Sequence, residues 1–88
     1  MLFVTHWKCA PENLKSVVAR FKQTGGTPPK GVKMIGRWHD VTQGRGVTVA
    51  EADDAEAIAR WSYAWSDLLS FETYPGLDDA GAAKVFFE

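Results

Sequence analysis

The spacing of hydrophobic residues changes repeatedly along this chain, and each change predicts an element. Met1-Leu2-Phe3-Val4-Thr5-His6-Trp7 is rich in apolar and β-favouring types and predicts a first strand. Ala10-Pro11-Glu12 follows, a proline preset for a first helical turn beside an acid suited to the positive end of the helix dipole. Leu14, Val17, Val18 and Phe21 then fall at i, i+3, i+4 and i+7, with Lys15, Arg20 and Lys22 on the other side. That pattern predicts an amphipathic helix over about 11–23, ended by Gly25-Gly26.

Beyond Pro29, Val32, Met34 and Ile35 lead to Trp38, Gln43-Gly44-Arg45-Gly46 marks a reversal, and Val47-Thr48-Val49-Ala50 resumes a β-rich run. A hairpin is expected there. Asp53 and Glu56 have capping-box spacing and open a second helix, about 54–65, whose apolar face is Ile58, Trp61 and Trp65. The period switches to two at Leu69, Phe71 and Thr73, a fourth strand stopped by Pro75-Gly76. Residues 75–88 form a tail with room for a short, weakly capped helix. The order β-α-β-β-α-β predicts a ferredoxin-like α+β fold, a four-stranded antiparallel sheet with two helices on one face.

In that fold the sheet face away from the helices alternates to polar unless something covers it. Here it does not alternate cleanly. Leu2 and Val4 point one way, Met1 and Phe3 the other, while Met34, Trp38, Val47 and Val49 share a parity and Ile35 lies opposite beside Lys33, Arg37 and His39. Leaving several such side chains in water would forfeit several kcal/mol at about 25 cal/mol per Å². A homodimer that packs sheet on sheet about a twofold axis removes that cost.

Composition narrows the function. Eighty-eight residues suffice for one domain, 1–88, and 45% hydrophobic with 24% charged residues describes a folded rather than a disordered chain. A net charge of -1 removes the driving force for nucleic acid or an anionic membrane surface. With one cysteine, Cys9, neither an intrachain disulfide nor a thiolate metal cage can form, which suits a reducing cytoplasm. The first residues lack a basic leader and a small-residue cleavage site, so no signal peptide is expected, and no apolar run approaches the roughly 20 residues of a membrane span.

Gly31-Val32-Lys33-Met34-Ile35-Gly36-Arg37-Trp38-His39, Glu51-Ala52-Asp53-Asp54 and Trp65-Ser66-Asp67-Leu68-Leu69 together resemble a bacterial domain-of-unknown-function family of the dimeric α+β-barrel superfamily. The resemblance implies the fold and the dimer, not an activity. Superfamily relatives include cofactor-free quinol-type monooxygenases, haem-degrading enzymes and small ligand-responsive modules, and no catalytic set of theirs matches here residue by residue.

Candidate chemistry is sparse. Arg37 and His39 share a parity near the end of the second strand and supply a fixed cationic fork and a proton carrier. A hydrogen-bonded strand terminus or dimer contact made by Arg37, His39 and Asp40 is the plainer account. His6, beside Trp7 on a central strand, is expected to line a pocket between sheet and helices or to be a core histidine with a backbone partner. Trp7, Trp38, Trp61 and Trp65 are candidates for an aromatic ligand wall, with core packing the plainer account of the last two. His6 and Cys9 are two ligands short of a tetrahedral metal site, and Asp53-x-x-Glu56 is explained by the helix start, so no metal is expected. Arg45-Gly46-Val47-Thr48-Val49-Ala50 begins like the third-strand motif of an RNA-recognition domain but lacks the stacking aromatics. No P-loop, dinucleotide or nucleophile-elbow fingerprint occurs, and no cofactor is expected.

Three functions remain. The first is a small dimeric protein that binds a partly aromatic or anionic molecule between sheet and helices. The second is a cofactor-free monooxygenase or isomerase using His6 or His39 as base and Arg37 as anion stabiliser. The third is a dimerisation module. A hollow space between the layers separates the first two from the third.

Overall fold

The computed structural model describes residues 1–87. Strands β1 (Leu2–Cys9), β2 (Val32–His39), β3 (Arg45–Ala52) and β4 (Leu69–Gly76) alternate with helices α1 (Leu14–Thr24) and α2 (Ala55–Trp65), and α3 (Asp79–Phe86) follows β4. The strands form one antiparallel sheet in the order β2-β3-β1-β4. This is the ferredoxin-like βαββαβ arrangement.

Each helix start has a local cause. Pro11 opens a 3-10 turn over Pro11–Asn13 rather than the α-helix itself, and Asn13, which precedes α1, makes no side-chain cap but donates from Nδ2 to the Leu68 carbonyl at 3.2 Å. Gly25, at φ 72°, ends α1 and donates to the Phe21 carbonyl, the left-handed stop that the glycine pair predicts. Asp54, not Asp53, caps α2, accepting from the Ala57 amide at 2.9 Å. β4 runs through Pro75 instead of stopping there, since an edge strand tolerates a missing N–H.

Paired residues share a face, so the register assigns the sides. Phe3, Thr5 and Trp7 of β1 stand opposite Ala50, Thr48 and Gly46 of β3, and all belong to the helix side. The core lies there, a cluster of Phe3, Ala50, Ala52 and Ile58 with Val32 and Trp61 packed against it.

β2 departs from the simple alternation read from the sequence. Met34 pairs with Ala50 but Gly36 pairs with Val49, so Ile35 is an extra, unpaired residue. The bulge reverses the parity beyond it. Met34 therefore faces the helices, Trp38 faces away with Val47 and Val49, and Arg37 and His39 join the helix side opposite Thr48 and Gly46.

Gly46 leaves the space on the sheet that the Trp7 indole of the neighbouring strand occupies. A Cβ there would overlap the Trp7 indole and sit 2.6 Å from the Trp38 carbonyl oxygen. Gly46→Ala is expected to lower stability by about 1–3 kcal/mol, the cost of overpacking a filled site. Urea denaturation measures this, and an unchanged midpoint would mean that Trp7 does not lie on Gly46.

Candidate functional site

Both helices are amphipathic, yet no residue of α1 is fully buried and α2 buries only Ala57 and Ile58. Their apolar stripes face a cavity. It has a volume of about 570 Å³ and lies between the sheet and the two helices. Its floor includes Thr5, Trp7, Thr48 and Phe71, its roof Val17, Phe21, Trp61 and Trp65.

Two arginines fix the elements around this space, one tying α1 to the sheet and one tying α1 to α2. Arg37 Nη1 donates to the Gly26 carbonyl at 2.8 Å and Nη2 to the Gly25 carbonyl at 3.2 Å, with the guanidinium 4.7 Å from the centre of the Phe21 ring. It thereby caps the negative end of α1 from the sheet. Burial pushes the Arg37 guanidinium below its ordinary value. Arg20 makes a bidentate pair with Asp67 at 2.8 and 2.7 Å, donates to the Ala64 carbonyl at 3.2 Å, and lies 5.3 Å from the Trp65 ring centre. That second tie fastens α1 to the end of α2.

His39 lines the cavity between two aromatic edges, Trp7 at 5.4 Å and Phe21 at 5.7 Å between ring centres. His6 does not. It pairs in register with Val47 and Glu72 on the open face, because β1 alternates strictly and Thr5 and Trp7 take the helix side. There its ring meets Tyr74 edge-on at 6.4 Å. The Tyr74 hydroxyl donates to Glu72 Oε2 at 2.9 Å, which raises its pKa.

Among the candidate tryptophans, Trp7, Trp61 and Trp65 line the cavity. Trp38 is 56% exposed on the opposite face, lying over Gly36, where the bulge puts it. Thr5, Thr48, Ser62 and Lys22 also line the cavity without having stood out in the sequence. Ser62 lies four residues after Ile58, so helical spacing was its signal, whereas Lys22, expected on the polar side of α1, lies four after Val18 and stands at the edge of the apolar stripe.

Cys9 stands apart, its Sγ donating to the Ala10 carbonyl at 3.3 Å, and burial followed by the charge of Glu12 raises its thiol pKa. Among the described residues no group of three His, Cys, Asp or Glu side chains is placed to hold a metal, and no helix is long and apolar enough to cross a membrane.

These features define a ferredoxin-like α+β protein with an aromatic cavity between its layers. The chain belongs to the family described as domain of unknown function DUF3303, which matches residues 1–88. No curated protein matches the sequence. The fold is similar to that of Rv0793 from Mycobacterium tuberculosis, at 12% identity and a TM-score of 0.52, over 90% of this chain and 96% of that one. An antibiotic biosynthesis monooxygenase-like protein from Deinococcus radiodurans matches at 14% identity and a TM-score of 0.45, over 89% and 94% of the two chains. At these identities the similarity describes the fold alone.

The Arg20–Asp67 tie has a pH signature. The bond to Arg20 holds the Asp67 carboxyl below its ordinary value, and Thr42 does the same for Asp40. A carboxyl depressed in the folded state adds stability that is present above its ordinary value, near 4, and lost as pH falls through the folded value. The melting temperature is therefore expected to drop below about pH 4, with a shallower drop in Asp67→Asn, where only the Asp40 part remains. An acid limb of unchanged steepness in the variant would show that the tie does not form.

Proposed function

We propose that this protein is a cytoplasmic homodimer that binds one small, partly aromatic molecule per subunit in the cavity between sheet and helices. The observation that carries the reading is the hollow itself. An amphipathic helix with no fully buried residue leaves its apolar stripe unsatisfied unless a ligand completes the layer. A volume of about 570 Å³ is in the range of sites that enclose small molecules. Apolar and aromatic walls with a few hydroxyls, Thr5, Thr48 and Ser62, suit a flat ring system with limited polarity.

Binding fits this lining better than turnover does. His39 is the histidine in the cavity, and among the described residues no Asp or Glu lines it to orient that imidazole as a general base. The dimer reading is supported by the open sheet face, where Leu2, Val4, Val47 and Val49 are half-buried and Trp38 and Tyr74 are each more than half exposed. A sheet face that apolar in water is a liability that a second copy removes. The single cysteine, in a chain that therefore forms no intrachain disulfide, supports a reducing compartment.

Native mass spectrometry of freshly purified protein tests both parts at once. The expected result is a dimer carrying an extra small-molecule mass that disappears on denaturation, and loss of that mass in Ser62→Phe, which fills the cavity. A monomer would overturn the sheet pairing. Retained mass in Ser62→Phe would place the ligand elsewhere.

A further inference from the structure

The charges around the cavity are lopsided. The chain as a whole has ten Lys and Arg against eleven Asp and Glu. Yet Lys22, Arg37 and His39 line the cavity and, among the described residues, no carboxylate does. The Arg37 guanidinium is engaged by the Gly25 and Gly26 carbonyls and by the Phe21 ring. Those same bonds, with the Gly25 amide on the Phe21 carbonyl and the Thr24 hydroxyl on the Arg20 carbonyl, use up negative groups at the end of α1 that would otherwise repel an anion. Lys22 is different. It stands on the edge of the α1 apolar stripe, one turn beyond Val18, exposed and outside both ion pairs found among the described residues. Its stem can lie along the apolar wall while its ammonium reaches the mouth of the cavity.

We infer that the ligand is an amphipathic anion, an aromatic or otherwise apolar body carrying one acidic group such as a carboxylate, phenolate or sulfonate, and that Lys22 selects it by pairing with that group. This rests on the cavity being a binding site and adds the chemistry of its occupant. The apolar body enters among Phe21, Trp61 and Trp65, and the acidic group stays at the rim, where a charge need not be fully stripped of water. His39, exposed at the end of β2 beside Trp7 and Phe21, offers a second donor to the same group at the rim. A neutral molecule of the same shape would gain only the apolar contact.

Two dyes with nearly the same body separate these cases: 8-anilino-1-naphthalenesulfonate, an anion, and N-phenyl-1-naphthylamine, its neutral counterpart. Each is titrated by fluorescence into the wild type, Lys22→Gln and Ser62→Phe. The expected result is tighter binding of the anion by the wild type, a loss of about three- to tenfold for the anion in Lys22→Gln, and no change there for the neutral dye. Raising the salt concentration should weaken the anion alone. Equal affinity for the two dyes, or an anion affinity untouched by Lys22→Gln, would overturn the inference while leaving the cavity as a site. Failure of both dyes to bind, or binding of both unchanged by Ser62→Phe, would instead overturn the cavity reading on which it rests.

Discussion

One extra residue in an edge strand decides what chemistry the space between the layers contains. If β2 ran without its bulge, the alternation that puts Val32 and Met34 on the helix side would carry Gly36 and Trp38 there too, and Arg37 and His39 would point at the open face. Ile35 takes up one position without a partner, Gly36 moves opposite Val49, and every later side chain changes sides. The cavity thereby gains a cation and an imidazole. The open face gains an indole lying over a glycine.

The same reversal supplies the tie that spaces the layers. Arg37 reaches the carbonyls of Gly25 and Gly26 only because it is on the helix side, and with Arg20 on Asp67 it fixes both the sheet-to-α1 and the α1-to-α2 distances. The compact cluster of Phe3, Ala50, Ala52 and Ile58 anchors one part of the helical layer, where two of the four sheet and helix partners are alanine and permit close approach. Away from it the residues are large. Trp7, Phe21, Trp61 and Trp65 enclose the space without filling it. Packing and function are thus linked, since the contacts that stabilise the layers also stand at the walls of the proposed site.

Much of the architecture was legible because it rests on local chemistry. The period of Leu14, Val17, Val18 and Phe21, the Gly25 stop and the cap before Ala55 are signals contained within a few residues, and the strands follow from alternation and turns. The faces of β2 were not legible in the same way. A bulge is a relation between two strands, and its one local sign, a glycine at position 36 inside an otherwise β-rich run, is weak on its own. Misreading it moved Trp38 relative to Met34. His6 stands on the open face rather than in the pocket for another reason: parity sets it with Leu2 and Val4, but which parity faces the helices depends on the packing of Phe3 and Trp7. Nor does a pattern of apolar residues say whether they meet or leave room, because that depends on how Arg37 spaces α1 from the sheet and Arg20 spaces α1 from α2.

The central claim is that the space between sheet and helices is an open, aromatic site. Four tryptophans make it directly testable, because Trp7, Trp61 and Trp65 line the cavity while Trp38 stands on the other face. Each indole N–H gives its own signal in a nitrogen–proton correlation spectrum, so a small neutral aromatic probe such as indole can be titrated and followed at all four. The account predicts saturable shifts of the Trp7, Trp61 and Trp65 signals with a common midpoint and a Trp38 signal that stays in place. Shifts confined to Trp38, or none at any indole, would contradict it.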